Sequence, residues 1–233
     1  MKVAHRLKNI SYAIRDIYEI AQKVEKSQKV HYLNIGDPVL FRDTFSTPKY
    51  ICDALSAATY AGHNEYANSL GVEELRKALC DHELKKNNIK LDPDDFLVTQ
   101  GVSEAIMFIT AGLIEKGDEF LSPGPGYPTY KSYATLYDGV VRYYKLDEEN
   151  EWIPDIDSVR KSITDKTQAL LISSPSNPTG SITPPKTVKQ IIDIAGEHDL
   201  IIISDEIYDK IIYPDAGKYV CPASLAKDVP VIG

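Results

Sequence analysis

From Phe96 onward, short apolar runs alternate with segments whose apolar residues recur every three or four positions. The runs are Phe96–Thr99, Glu119–Ser122, Val140–Leu146, Ala169–Ser173 and Leu200–Ser204. Helices are expected between them: about Ser103–Ile114, one from near Tyr127, Ile156–Ile163, and a long one after Pro184 and Pro185. The apolar runs show little polar alternation, as in strands covered on both faces. Strand–helix alternation of this kind predicts an α/β fold, a mostly parallel sheet between two helical layers. Val229–Gly233 reads as one more strand, and the architecture is expected to continue past it, because a parallel strand needs a crossover.

The first third of the chain is less regular. Ile10, Ile14, Ile17, Ala21 and Val24 share one helical face. Val30–Ile35 reads as a short strand stopped by Gly36-Asp37-Pro38. Thr47–Tyr60 opens with a Thr-Pro helix entry, and Gly71–Lys86 reads as an exposed helix with Leu75 and Leu79 facing inward. There is no repeat and no low-complexity linker.

Composition narrows the possible partners. The 233 residues are 43% hydrophobic and 26% charged, as in an ordinary globular protein. A net charge of -8 with no clustered cations argues against nucleic acid or an anionic membrane as partner. Cys52, Cys80 and Cys221 are too far apart for a metal spacing, which suggests a reducing, cytoplasmic setting. No apolar run approaches a membrane span, no leader-like segment opens the chain, and no metal site is expected.

In a parallel sheet, ligands gather at the carboxyl ends of the strands. Four of these ends carry unusual residues. Thr99-Gln100-Gly101-Val102-Ser103 joins a strand to a helix start, which suits an anion such as a phosphate, although Ser103 would also serve as a plain cap. Ser122-Pro123-Gly124-Pro125-Gly126-Tyr127 is a stiff loop ending in an aromatic that could stack on a flat ring or simply pack beside a turn. Ser173-Ser174-Pro175-Ser176-Asn177-Pro178 has two X-Pro bonds and would aim Asn177 over the sheet, though Asn-Pro-x-Gly is also a common turn. Ile201-Ile202-Ile203-Ser204-Asp205 runs an apolar strand into a carboxylate, with Tyr208 about one helical turn on and Glu206 pointing elsewhere. Asp205 could also cap a helix or bind a metal beside a nucleotide, but no GxxxxGK[ST] phosphate loop is present. GxSxG and HExxH are likewise absent.

A phosphate cradle, a flat aromatic, an amide, a phenol and a buried carboxylate together match one ligand, pyridoxal 5'-phosphate. Asp205 would face the ring nitrogen and keep it protonated, which lets the ring accept an electron pair from a substrate carbon. Asn177 and Tyr208 would donate to the ring hydroxyl oxygen.

With those residues in view, the sequence resembles the class I, fold-type-I pyridoxal-phosphate-dependent aminotransferases, especially archaeal alanine and aspartate aminotransferase-like members. The matching pieces are YAIRDI (12–17), LNIGDP (33–38), GVEELRKAL (71–79), VTQGVSEA (98–105), PGPGYPTY (123–130), SSPSNPTG (173–180) and SDEIYD (204–209). The resemblance implies a three-layer large domain over 46–233, with an N-terminal arm and part of a smaller domain over 1–45. It implies that Gly101, Val102 and Ser103 hold the cofactor phosphate and that Tyr127 stacks on the ring. Asn177 and Tyr208 would bind the ring hydroxyl, Asp205 the nitrogen, and Gly36 would sit by the substrate carboxylate. Tyr66 would reach the cofactor of the other subunit in a homodimer.

The implied reaction moves an amino group from an L-amino acid, such as alanine or aspartate, to 2-oxoglutarate. The family's Schiff-base lysine is expected beyond Gly233, since Lys210, Lys218 and Lys227 read as surface residues. The chain by itself is therefore expected to be inactive. A C–S lyase or related β-eliminase shares the same ring-binding residues and is the alternative within the cofactor class. A nucleotide-binding ATPase would bind ATP with magnesium instead, and a non-enzymatic scaffold would leave the four strand ends without a common ligand.

Overall fold

The computed structural model describes residues 4–10, 13–32, 36 and 45–233. The chain forms two compact units, Met1–Tyr12 with Glu73–Gly233, and Ala13–Val72. These limits differ from the expected boundary at 45/46.

The larger unit is built on a six-stranded sheet. Its strands are β1 (Glu119–Gly124), β2 (Val140–Asp147), β3 (Ile153–Pro154), β4 (Thr167–Ser173), β5 (Ile201–Asp205) and β6 (Val231–Ile232). They lie in the order β3-β2-β1-β4-β5-β6. Every pairing is parallel except β2 with β3.

Alternation along the strands separates two cores. Leu121, Leu170, Ile172 and Ile202 face one side, against Val159 of α6 (Ile156–Ser162) and Val188, Ile191 and Ile194 of α7 (Pro185–Glu197). Phe120, Ala169, Leu171 and Ile203 face the other, against Ile106 of α4 (Val102–Leu113) and Tyr130 and Ala134 of α5 (Thr129–Leu136). Both faces of the central strands are thus buried, which is why their sequence reads as a continuous apolar run. Full burial of a residue such as Leu170, at 0% exposure, contributes about 1.5–3 kcal/mol. Tyr144 of β2 ties the sheet together, donating from its buried phenol to the Leu171 carbonyl at 2.9 Å.

The order of the strands also positions the site. The chain steps one way from β1 to β2 and the other way through β4, β5 and β6. The direction reverses between β1 and β4, and a ligand crevice forms outside the carboxyl ends at such a switch point.

Several expectations are corrected. Phe96–Thr99 is not a strand: Phe96 is extended (φ -108°, ψ 135°), but Leu97 and Val98 are 49% and 37% exposed. Among the described residues this run pairs with no neighbour, and an extended segment becomes a strand only through a ladder. Leu75 does not face inward; it is 45% exposed and Leu79 is half-buried. The buried residue of α3 (Glu73–Asn87) is Arg76, which donates to the Pro93 carbonyl at 2.6 Å and to Asp94 at 2.9 Å. A guanidinium held by a carbonyl and a carboxylate can be buried, because its charge and N–H groups are matched. The antiparallel β3 was not anticipated, because two residues carry no readable period.

The smaller unit contains α1 (Ala13–Glu25) and α2 (Lys49–Tyr60). On α1, Ala21 and Val24 are half-buried while Ile17 remains 54% exposed. Val30–Tyr32 is not a strand, and Leu33–Ile35 lies outside the described residues. On α2, Tyr50, Leu55 and Tyr60 are all largely exposed.

Candidate functional site

The carboxyl ends of β1, β4 and β5 and the start of α4 surround one cavity of about 300 Å³. That volume is at the lower end of small-molecule sites, about 300–1,000 Å³. Gly101, Val102, Ser103, Tyr127, Asn177, Asp205 and Tyr208 all line it. The sequence brings them together from four separate segments. Gly36 and Tyr66 belong to the smaller unit, and both are exposed there.

At the start of α4, Gly101 has φ 76° and ψ 173°, a backbone region essentially reserved for glycine. A Cβ there would meet nothing within 4 Å, so the space over this backbone is open. The first N–H groups of a helix have no acceptor within it, and the helix dipole adds positive character. Glu104, in the first turn, accepts from the Gln100 N–H at 2.5 Å and fixes the approach to the helix. The Thr99 hydroxyl donates to the Gly101 carbonyl at 3.1 Å.

After β1 the chain turns through a cis Gly124-Pro125 bond to Tyr127. The Tyr127 ring meets Tyr130 edge-on, with centroids 5.7 Å apart and planes at 85°. After β4, both Ser174-Pro175 and Asn177-Pro178 are cis, and the loop carries Asn177 to the cavity. The Asn177 amide lies 3.5 Å from the Tyr208 hydroxyl, so an amide and a phenol from different segments converge.

Asp205 ends β5 at 7% exposure. Its carboxylate accepts from the Tyr130 hydroxyl at 2.6 Å and from the Ile207 N–H at 3.3 Å. Both donors are neutral, and none of the ion pairs among the described residues includes Asp205. A carboxylate removed from water in this way is best balanced by a cation in the cavity it faces. Burial pushes the Tyr130 phenol well above its ordinary range, and the Asp205 charge pushes it further. It therefore stays protonated and serves as a donor.

Tyr130, Ser173, Gln100 and Ile207 also line the cavity and were not singled out from the sequence. Tyr130 had a signal: it follows Tyr127 by three residues, which places the two on one side of a helical turn. Ser173 had none of its own: its place at the cavity comes from the strand register that sets it beside Asp205. Glu206 turns to the opposite face, where Ser204, Tyr219 and Cys221 donate to its carboxylate. Lys210, Lys218 and Lys227 are exposed, and among the described residues no lysine lines the cavity. Among the described residues no group of three or more His, Cys, Asp or Glu could hold a metal ion, and no helix is long and apolar enough to cross a membrane.

The donor set fits pyridoxal phosphate. A helix start with open backbone suits its phosphate, a buried carboxylate its pyridinium, and an amide and a phenol its ring oxygen. A mostly parallel sheet flanked by helices, with these groups at its switch point, defines the large domain of a fold-type-I pyridoxal-phosphate-dependent transferase. Comparison with known proteins agrees. Residues 28–232 match the family described as aminotransferase class I and II. The glutamate-pyruvate aminotransferase AlaA of Escherichia coli K12 is 36% identical over 230 residues, covering 97% of this chain and 56% of that protein. A probable aspartate aminotransferase of Methanocaldococcus jannaschii is 38% identical over 212 residues, covering 91% of this chain and 53% of that protein. The solved alanine aminotransferase of Pyrococcus furiosus superposes with a TM-score of 0.94 at 44% identity, covering 99% of this chain and 58% of that one. The chain belongs to the class I and II aminotransferase family, whose class I members depend on pyridoxal phosphate. It spans about half the length of the curated relatives it matches.

Proposed function

We propose that this chain forms the cofactor-binding part of a pyridoxal-phosphate-dependent aminotransferase. The enzyme would move an amino group between an L-amino acid, alanine or aspartate, and 2-oxoglutarate. The observation that carries this reading is Asp205: a carboxylate 7% exposed, held by neutral donors, facing a cavity whose other end is a helix start. The amino-acid preference rests on relatives named for glutamate-pyruvate, aspartate and alanine transfer.

In this reading Gly101, Val102 and Ser103 bind the phosphate through backbone N–H groups and the Ser103 hydroxyl. Tyr127 covers the ring and excludes water from one side of it. Asn177 and Tyr208 direct their N–H and O–H at the ring oxygen. Asp205 holds a proton on the ring nitrogen by a charge-assisted hydrogen bond. When bound, the cofactor supplies an electron sink for the bond broken at the substrate's α-carbon. Among the described residues no lysine lines the cavity, so in this reading the lysine that bonds to the cofactor and carries the proton comes from another part of the enzyme, and the 233-residue chain alone binds the cofactor without transaminating.

Gly36 is assigned to the substrate carboxylate and Tyr66 to the cofactor phosphate of a partner subunit. A homodimer is supported by the apolar side chains that the smaller unit exposes, including Tyr50, Leu55, Tyr60 and Tyr66. The acidic charge and scattered cysteines favour a cytoplasmic setting.

The test is a titration of the chain with pyridoxal phosphate, followed by absorbance and by the fluorescence of Trp152. Saturable binding that inorganic phosphate competes away is expected, with no keto acid formed from alanine or aspartate. Absence of saturable binding by the folded chain overturns the cofactor assignment. Keto-acid production by the pure chain overturns the placement of the lysine.

A further inference from the structure

Tyr130 lies behind the cavity rather than across its mouth. It is 2% exposed, and its ring packs in the core shared by α4, α5 and the sheet. Its hydroxyl nevertheless reaches the Asp205 carboxylate at 2.6 Å, across a separation of 75 residues. Such a contact is costly to assemble by chance, because a buried phenol with no acceptor leaves a polar group unsatisfied. The Tyr130 ring also meets Tyr127 edge-on, with centroids 5.7 Å apart.

We propose that Tyr130 is a positioning residue for Asp205. Its hydroxyl holds Oδ2, so that the carboxylate keeps one rotamer and one oxygen remains to address a cation in the cavity. The second contact, from the Ile207 N–H to Oδ1, is longer at 3.3 Å and cannot fix the group alone. Tyr130 also couples the two ends of the ring site: its ring sets the angle of Tyr127, and its hydroxyl sets the angle of Asp205. One side chain thereby aligns the covering aromatic with the carboxylate, so that both address a single flat cation. The contact itself requires no cofactor; its use in binding rests on the pyridoxal-phosphate reading above.

The test combines a spectroscopic signature with a double-mutant cycle. In the ligand-free protein, a phenol bonded to a carboxylate and shielded from water should show a slowly exchanging, low-field hydroxyl proton by NMR. That resonance should vanish in Tyr130→Phe and move in Asp205→Asn. Pyridoxal phosphate affinity should fall about tenfold in Tyr130→Phe, and the pair Tyr130→Phe/Asp205→Asn should bind no more weakly than Asp205→Asn alone. Loss of Tyr130 packing unrelated to Asp205 would instead give additive losses and leave no hydroxyl signal to assign. Additive losses, or no such proton in the folded wild type, overturn the proposal. Should Tyr130→Phe fail to fold, the wild-type resonance and its response to Asp205→Asn still decide. A wild type that shows the proton but binds no pyridoxal phosphate upholds the positioning contact and overturns the cofactor reading alone.

Discussion

Replacing Asp205 by asparagine separates affinity from stability, because the two depend on different halves of its environment. The side chain is 7% exposed and receives hydrogen bonds from Tyr130 at 2.6 Å and Ile207 at 3.3 Å. Asparagine keeps a carbonyl oxygen for the Tyr130 hydroxyl. What it loses within the fold is the charge assistance of that bond, about 1 kcal/mol by the difference between charged and neutral hydrogen bonds. What it recovers is the cost of holding a charge out of water with no cation beside it, a term of similar size or larger. In the ligand-free protein, then, the variant should melt within about 1 kcal/mol of the wild type in a urea titration. Binding is different. A ring cation facing asparagine loses a charged hydrogen bond of about 1.5–3 kcal/mol, so the dissociation constant for pyridoxal phosphate should rise about 10- to 150-fold. Inorganic phosphate is the internal control: it addresses the start of α4, and its own affinity should be unchanged. Unaltered pyridoxal phosphate affinity in a folded Asp205→Asn variant refutes the reasoning, and so does an equal loss of phosphate affinity.

Three other perturbations probe the parts around it. Gly101→Ala forces a side chain into the φ 76°, ψ 173° backbone at the start of α4, and should cost about 1–3 kcal/mol in urea unfolding while weakening phosphate competition; unchanged stability would show that the backbone had relaxed elsewhere. Leu170→Ala, at a position 0% exposed in the centre of the sheet, should cost about 2–5 kcal/mol, and a loss under about 1 kcal/mol would contradict the packing described. Burial raises the Glu206 carboxyl above its ordinary value of 4.5, so folding favours its protonated form. The stability it contributes is fully present below 4.5 and is lost as pH rises through the folded value. The melting temperature of the wild type relative to Glu206→Gln should therefore fall from about pH 4 toward pH 8, and a difference that is flat or grows over that range would count against the assignment.

Much of the larger unit was legible because its signals are local and repeated. The runs that became β1, β4 and β5 are buried on both faces, and their apolar character follows from that burial, whereas β2 buries Tyr144 alone and was read from its β-branched and aromatic residues. The helix entries at Gly101 and Pro185 were readable from backbone restrictions carried by single residues. Phe96–Thr99 failed for the complementary reason. Its composition suits a strand, but pairing is a property of the neighbour, and no strand of the described residues takes it. Arg76 failed because a periodic pattern assigns cations to the outside, whereas its burial depends on the Pro93 carbonyl and Asp94, 17 and 18 residues away. Tyr130 was passed over in the same way: its place at the site comes from an acceptor 75 residues distant.

The pair of acids after β5 shows how far a sequence can go toward a site. Asp205 and Glu206 are adjacent, and composition treats them alike. Strand alternation does not. Ile203 faces the core of α4 and α5, so Asp205, two residues on, faces the same side and meets Tyr130. Ile202 faces the core of α6 and α7, so Ser204 and Glu206 turn that way, toward Tyr219 and Cys221. Counting in twos along β5 therefore selects the carboxylate before any ligand is considered. The count has meaning only because Ile201–Asp205 is held in parallel register with Ala169–Ser173, which also sets Ser173 beside Asp205. A slip of one residue would present Glu206 to the cavity and Asp205 to the opposite core, exchanging the two roles. The apolar run that precedes the acids is thus what determines which of them acts. Its isoleucines fix the register through burial, and the register fixes the direction of the charge.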